Sequence, residues 1–173
     1  MKGDDSLSLQ LAKDALAPFH AAERIQLLTE RTATVEEAAQ ALGCAPERIA
    51  KTLSFFIEER PIVIVVAGDA KIDNKAFKQL FEVKARMMPA SDVERVIGHA
   101  IGGVCPFGVR DEVTVYLDES LKRFETVFPA CGTANSAIEV TIDELQTFCD
   151  HPTWVNVCKN WQSEQHIQTH ASI

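Results

Sequence analysis

Two adjacent runs of β-forming residues constrain the fold of this chain more than any other feature. Residues 50–58 are rich in threonine, phenylalanine and isoleucine, and residues 61–67 are an almost continuous run of valine and isoleucine. The charged segment between them is short, so the two runs predict a β-hairpin whose second strand is well buried. Gly68 follows directly and is expected to end that second strand.

Shorter signals around the hairpin predict helices and strands that follow one another irregularly. Apolar residues at helical spacing predict a helix over residues 6–17. Thr34, Ser91 and Thr141 each precede a glutamate by three residues, which is typical of a helix N-cap, and Asp73 is predicted to cap a further helix. The remaining predicted strands are residues 24–28, 83–87, 112–117, 126–128, 136–140 and 154–157, and the tail from Ser163 is expected to fray. Because these elements do not alternate as βαβ units, we expect an α+β fold with a mixed, barrel-like sheet and short surrounding helices.

Length and composition favour one soluble globular domain spanning residues 1–173. The chain has 173 residues, of which 46% are apolar and 24% charged. No window approaches the roughly 20 apolar residues of a membrane span, and the first residues lack the basic and apolar regions of a signal peptide. A cytoplasmic protein is therefore expected.

The net charge of −8 argues against a protein that coats DNA or RNA through a broad basic face. Recognition of one end of an RNA needs only a local pocket, so the net charge does not argue against that function. The densest basic segment carries Lys71, Lys75, Lys78, Lys84 and Arg86, interleaved with Asp69, Asp73 and Glu82. Its surplus of positive charge is small, so a solvated helix face is the favoured interpretation.

The cysteines favour neither a disulfide scaffold nor a metal site. There are five, an odd number, and none forms a C-x-x-C pair. Cys105 could act as a nucleophile if a base such as His99 lay within reach, but no known Cys/His signature fits. Asp69 and Asp73 are too isolated to suggest a metal pair, and the phosphate-binding glycine motifs are missing from the sequence. We therefore predict no metal and no cofactor.

Lys51 is a candidate functional residue near the start of the first hairpin strand. The two-residue period of a strand places it on the same face as Leu53, Phe55 and Ile57. A lysine that shares a face with apolar residues either extends to water from the strand end or has a functional partner. The residues alone leave both interpretations open.

Two loops are candidates for contact with a ligand. Residues 98–108 hold four glycines and a proline, and the G-x-x-x-P segment within them comprises Gly102, Gly103, Val104, Cys105 and Pro106, followed by Phe107. Such a loop can direct backbone N–H groups at a developing negative charge, or it can be a tight turn that needs glycine for steric reasons. The second loop contains Gly132, Thr133, Asn135 and Ser136, whose side chains could bind ribose hydroxyls or an α-amino group, or cap local backbone.

Five segments together resemble the YbaK/ProX family of free-standing trans-editing proteins, which is related to the editing domain of bacterial prolyl-tRNA synthetase. The segments, in chain order, are IAKTLSFF, VVAGDAKID, GHAIGGVCPFG, VYLDESLKRFETVFPACGTANSAIEVT and DELQ. The likeness extends over residues 34–148 and leaves residues 150–173 as a C-terminal extension. The match depends on the order and spacing of the segments more than on any one of them.

The resemblance implies hydrolysis of the ester between a wrong, small amino acid and the 3′ end of tRNA, most often proline tRNA. It implies that Lys51 engages a phosphate or the aminoacyl carbonyl and that residues 102–106 line the pocket. Water is the expected nucleophile, helped by the adjacent ribose hydroxyl, without a metal or a covalent intermediate. The implied partners are aminoacyl-tRNA and prolyl-tRNA synthetase, and the expected state is a monomer or a homodimer. Cys131 stands where the alanine-specific branch has histidine, so the amino acid removed is not assigned.

Two alternatives remain beside the aminoacyl-tRNA deacylase. The first is a non-catalytic module of the same fold that holds tRNA or a partner protein. The second is a thiol-dependent hydrolase that uses Cys105. The presence of Lys51 and of an intact G-x-x-x-P segment favours the deacylase.

Overall fold

The computed structural model describes residues 2–161, with side chains from residue 7 onward. Its α-helices are α1 (Lys2–Leu16), α2 (Val35–Leu42), α3 (Asn74–Phe81), α4 (Ala90–Ile97) and α5 (Ile142–Phe148). Its strands are β1 (Gln26–Leu27), β2 (Ile49–Ile57), β3 (Arg60–Ala67), β4 (Lys71–Ile72), β5 (Thr114–Asp118), β6 (Thr126–Pro129), β7 (Ser136–Ala137), β8 (Val140–Thr141), β9 (Thr153–Val155) and β10 (Cys158–Lys159). The tail that was expected to fray lies outside the described residues.

The main sheet is mixed and curls into a half-barrel, as the sequence predicts for an α+β domain. Its strand order is β8-β6-β2-β3-β5-β9. The hairpin β2–β3 is antiparallel, whereas β2–β6, β3–β5 and β5–β9 are parallel pairs. Two short antiparallel ribbons, β1–β7 and β4–β10, lie beside this sheet. The ribbon β1–β7 connects the segment before α2 to the segment after β6, and the ribbon β4–β10 connects the segment after β3 to the C-terminal residues.

The predicted hairpin is confirmed and forms the centre of the core. Glu58 and Glu59 make the turn, and the register places Lys51 opposite Val66. Residues 63–67 of β3 are completely buried, which explains why that strand is a continuous run of apolar residues. On β2, Phe55 packs against Phe77 of α3, with 5.1 Å between the ring centroids.

Two of the predicted elements near α4 are wrong. Residues 83–87 do not form a strand and pair with β2 only through a bridge between Met87 and Phe55. The pairing cannot extend past Met88, because the next residue, Pro89, has no N–H to donate. The same proline occupies the N-cap position of α4, so Ser91 lies inside the helix instead of capping it. The other predicted caps are confirmed, since Thr34 and Thr141 accept hydrogen bonds from the third residue of α2 and α5.

Helix α1 packs against two loops, the one that precedes β5 and the one between β6 and β7. A Cβ atom on Gly132 would lie 2.4 Å from the carbonyl oxygen of Ser8, and one on Gly108 would lie 2.5 Å from that of Leu11. Both glycines also have positive φ, at 99° and 73°. Glycine is therefore required at both positions for the loops to approach the helix backbone. Among the helices of residues 2–161, none is long and apolar enough to cross a membrane.

Candidate active site

A cavity of about 240 Å³ opens where the start of β2 meets α2, the glycine-rich loop (residues 98–108) and the polar loop (residues 132–136). Most of its wall is apolar and is formed by residues such as Leu28, Val35, Ala38, Leu42, Ile49 and Phe128. Five of the predicted site residues line it, namely Lys51, Gly102, Val104, Thr133 and Ser136. The fold therefore brings together the strand lysine and the two loops.

Lys51 supplies the charge of this cavity. The residue is half-buried, and burial is the main cause that lowers the pKa of its ammonium group from 10.5. Among the side chains of residues 7–161, no carboxylate lies within 4.0 Å of Lys51. Asp69, a nearby acid, forms a two-pronged ion pair with Arg123 instead, at 2.5 and 3.0 Å. The Lys51 ammonium is thus available to an anionic or strongly polar ligand group.

The glycine-rich loop offers backbone donors at the cavity wall. The N–H of Gly103 donates to the carbonyl of Ala100 at 3.0 Å, which folds the loop into a tight turn. By contrast, the N–H groups of Gly102 and Val104 donate to no other residue in the described part of the chain. Two amides without partners, on residues that line the same cavity as a lysine, resemble the donor set that stabilises an oxyanion.

The side chains of the polar loop maintain its shape rather than facing a ligand freely. The Ser136 hydroxyl accepts hydrogen bonds from the N–H groups of Cys131 and Thr133, each at 3.2 Å. The Thr133 hydroxyl donates to the Asn135 side chain at 2.8 Å. These side chains fix the backbone of the wall, which is the local-capping role that the sequence left open for them.

The hydroxyl of Thr52 is the exception among the hydroxyl groups of the cavity. Thr32 donates to the carbonyl of Ala134, and Thr34 caps α2. The Thr52 Oγ1 atom is buried and has no hydrogen-bond partner within residues 2–161. A buried hydroxyl without a partner costs about 1–3 kcal/mol, so it marks a position where a ligand or water would complete the structure.

The other predicted site residues lie outside the cavity wall. Gly103, Cys105, Pro106, Phe107, Gly132 and Asn135 belong to the two loops but do not line the cavity. Gly103 is pressed against the polar loop, since its carbonyl accepts a 3.0 Å hydrogen bond from the N–H of Gly132. These six residues help to form the two loops, and direct contact between them and a substrate stays a prediction.

Cys105 has none of the properties of an activated thiol. Its side chain is fully buried, and burial raises the pKa of the thiol to about 12. His99 Nε2 lies 3.5 Å from the sulfur and 2.6 Å from the carbonyl oxygen of Phe107. Because a carbonyl can only accept, Nε2 carries the proton and cannot act as a base toward the thiol. The other ring nitrogen, Nδ1, then accepts from the Ser8 hydroxyl at 2.9 Å.

Thr52 and the segment 28–42 are the parts of the site that the sequence did not reveal. The two-residue period of a strand groups Lys51 with Leu53, Phe55 and Ile57, and it assigns Thr52 to the opposite face. The sequence around Thr52, Lys-Thr-Leu-Ser, gives no signal that separates its hydroxyl from the other polar groups of the strand. Among the described residues, no group of three or more His, Cys, Asp or Glu side chains could hold a metal ion.

The chain matches the aminoacyl-tRNA editing domain over residues 29–148, which is more than half of its length. The protein therefore belongs to the aminoacyl-tRNA editing domain family, and the resemblance to YbaK-like proteins drawn from the sequence is confirmed.

Three similar proteins place the chain within this family. An uncharacterised Bacillus subtilis protein, YwhH, is 56% identical over 132 residues, covering 76% of this chain and 84% of its own. The proline–tRNA ligase of Geobacillus thermodenitrificans is 29% identical over 117 residues, or 67% of this chain, but this match covers only 20% of the ligase. A crystal structure of a candidate trans-editing enzyme for prolyl-tRNA synthetase superposes with a TM-score of 0.80 at 28% identity, covering 88% of this chain and 98% of the other.

Proposed function

We propose that this protein is a trans-editing hydrolase that removes a small non-cognate amino acid from the 3′ end of tRNA, with proline tRNA as the principal substrate. The observation that carries the proposal is one mostly apolar cavity whose wall includes Lys51, which has no carboxylate partner among the described side chains, together with Gly102 and Val104, whose amides donate to no described residue. Its membership of the editing-domain family and its likeness to a candidate trans-editing enzyme support the same assignment.

In the proposed reaction, water attacks the carbonyl carbon of the aminoacyl ester. The carbonyl oxygen gains negative charge, and the bond to the ribose oxygen then breaks. That ribose oxygen takes up a proton from the attacking water, so the products are the free amino acid and uncharged tRNA. The N–H groups of Gly102 and Val104, or the Lys51 ammonium, would stabilise the negative charge. A single donor of this kind is worth about 3 kcal/mol, which suits an already activated ester.

The wall of the cavity is expected to determine which amino acid is accepted. Apolar side chains from the segment before α2, from α2 itself and from β6 surround the polar groups. An apolar pocket discriminates by only about 1–3 kcal/mol per methylene group. We therefore propose that the protein accepts several small amino acids at graded rates instead of a single one.

The test is deacylation of proline tRNA charged separately with alanine, cysteine, serine or proline. Wild-type protein is expected to release at least one small non-cognate amino acid faster than buffer, and Lys51→Ala is expected to lose this rate. Cys105→Ala is the matched control, because a thiol outside the cavity should be dispensable. Treatment with EDTA is expected to leave the rate unchanged, since the proposed chemistry uses only groups of the chain.

Two results would count against the proposal. If no ester is cleaved above the rate in buffer, the protein is not a deacylase of proline tRNA, and binding of uncharged tRNA would point to the non-catalytic module. If Lys51→Ala remains fully active while Cys105→Ala is inactive, the thiol-dependent mechanism replaces the one proposed.

A further inference from the structure

The ribbon β4–β10 places two lysines directly opposite each other. In its register, Lys71 pairs with Lys159, so both side chains point to the same side of the ribbon. Both residues are exposed, and neither has a carboxylate within 4.0 Å in the described part of the chain. Like charges opposite each other destabilise a strand pair. An anion between them would remove this cost.

The acids that accompany Lys71 in the sequence are engaged with other groups. Asp69 forms its ion pair with Arg123, and Asp73 accepts hydrogen bonds from the N–H groups of Lys75 and Ala76 at the start of α3. The interpretation of this basic segment as one solvated helix face is therefore incomplete, because Lys71 lies on a strand beside a cation from the C-terminal extension.

This pair of lysines lies near Lys51, although neither lysine lines the cavity. Strand β3 ends at Ala67, which is paired with Ala50 beside Lys51, and the chain reaches Lys71 four residues later. Repulsion from Lys71 adds to the burial that lowers the pKa of Lys51. The backbone phosphates of an RNA whose 3′ end lies in the cavity would thus be near Lys71 and Lys159.

Contacts of the C-terminal extension on both sides of Lys159 fix the position of its backbone. The buried carboxylate of Asp118 accepts a 2.9 Å hydrogen bond from the N–H of Val157, two residues before Lys159. Two residues after it, the Trp161 ring is buried, with the Arg123 guanidinium 5.1 Å from its centre. The extension lies beyond residue 148, where the match to the editing domain ends.

We propose that Lys71 and Lys159 bind the phosphodiester backbone of the RNA whose 3′ ester occupies the Lys51 cavity. The identity of that RNA rests on the proposed function. A protein with a net charge of −8 repels RNA overall, so RNA must approach through a local positive surface, and this one lies near Lys51. The extension thereby adds a substrate contact to the editing domain.

The first experiment measures the affinity for uncharged proline tRNA over a range of salt concentrations. Lys71→Gln and Lys159→Gln are each expected to weaken binding and to reduce the slope of log affinity against log salt by about 0.7, the value for one phosphate of a single strand. Arg60→Gln is the matched control, since this exposed cation lies at the opposite end of β3. The charge-conserving variants Lys71→Arg and Lys159→Arg are expected to retain the wild-type slope.

The second experiment separates the RNA contact from catalysis. With aminoacyl-tRNA, the double glutamine variant is expected to raise KM at an unchanged kcat; with an aminoacyl-adenosine that lacks phosphates, its rate should equal that of wild type. Equal salt slopes for wild type and both single variants would overturn the inference, whether or not the protein hydrolyses esters. Equal losses in Arg60→Gln would also overturn it, because the effect would then reflect net charge. A wild-type protein that binds RNA through these lysines but cleaves no ester would contradict only the proposed function.

Discussion

The carbonyl oxygen of Gly103 accepts a hydrogen bond of 3.0 Å from the N–H of Gly132, and this contact joins the two loops of the cavity. The loops are so close that a Cβ atom on Gly103 would lie 2.2 Å from the backbone of Gly132 and Thr133. The positions of the Gly102 and Val104 amides therefore depend on a backbone contact that no side chain can enter.

Replacing Gly103 by alanine is expected to push the loops apart and to abolish hydrolysis. The added methyl group meets backbone on the opposite loop, which cannot move aside like a flexible side chain, so a loss of stability of about 1–3 kcal/mol is also expected. Gly43→Ala is the control, because Gly43 has open space around it and only its positive φ of 70° is strained. Thermal unfolding and deacylation should be compared for both variants. An active Gly103→Ala protein would show that the loop contact is unnecessary.

Replacing Lys51 by methionine is expected to abolish hydrolysis while keeping or raising stability. The substitution removes a half-buried ammonium that has no ion pair in residues 2–161, and thereby its desolvation cost. Because the side chain is only half-buried and water screens its charge, the gain in unfolding free energy should stay below about 1 kcal/mol, and it can be measured by denaturant unfolding. A clear loss of stability would instead show that Lys51 has a structural role.

Replacing Thr52 by valine and by serine is expected to give opposite results. Valine keeps the shape but removes the unpartnered hydroxyl, so stability should rise while the rate of hydrolysis falls about tenfold, the effect of one hydrogen bond to the substrate. Serine keeps the hydroxyl and loses a methyl group, so activity should persist while stability falls by about 1 kcal/mol. Both are measured by steady-state deacylation and thermal unfolding. If the valine variant retains the wild-type rate, the hydroxyl takes no part in the reaction.

The stability of the protein is expected to fall as the pH drops below 6.5. Burial lowers the pKa of His99 from 6.5, although its hydrogen bonds to Phe107 and Ser8 act in the opposite direction. The unfolded chain then binds a proton at mildly acidic pH that the folded chain excludes, so stability decreases by at most about 1.4 kcal/mol per pH unit below 6.5 and is constant with respect to this group above it.

Unfolding of His99→Gln over the same pH range tests the origin of that slope. The variant should be less stable at neutral pH, because its side chain cannot reproduce both hydrogen bonds, and its stability should depend less on pH. His20→Gln serves as the control at an exposed position. A pH dependence that is identical in the wild type and in His99→Gln would assign the slope to other groups.

The sequence was sufficient where local signals and burial agree. The hairpin β2–β3 was predictable because one of its strands is apolar throughout, and the caps at Thr34 and Thr141 because each is followed by glutamate at the required spacing. Ser91 has the same spacing, but the proline two residues earlier fixes the chain direction and starts the helix first. The capping-box prediction failed at Ser91 because Pro89, two residues earlier, already starts the helix.

The site could be predicted only in part because its walls come together through tertiary packing. Lys51 was identifiable from its position on an apolar face, and the glycine-rich loop from its composition. The unpartnered state of Thr52 depends on which groups surround it in space, and the opposition of Lys71 and Lys159 depends on a pairing of segments almost 90 residues apart. Neither relationship produces a periodic pattern in the sequence.

The close approach of Gly108 and Gly132 to the backbone carbonyls of α1 has a consequence for protein engineering. The match to the editing domain covers residues 29–148, whereas the loops of the cavity also pack against α1, which lies outside that range. Grafting residues 29–148 into a host protein would transfer most of the cavity residues but not the α1 backbone against which Gly108 and Gly132 pack. The host protein would have to supply an equivalent packing surface for Gly108 and Gly132.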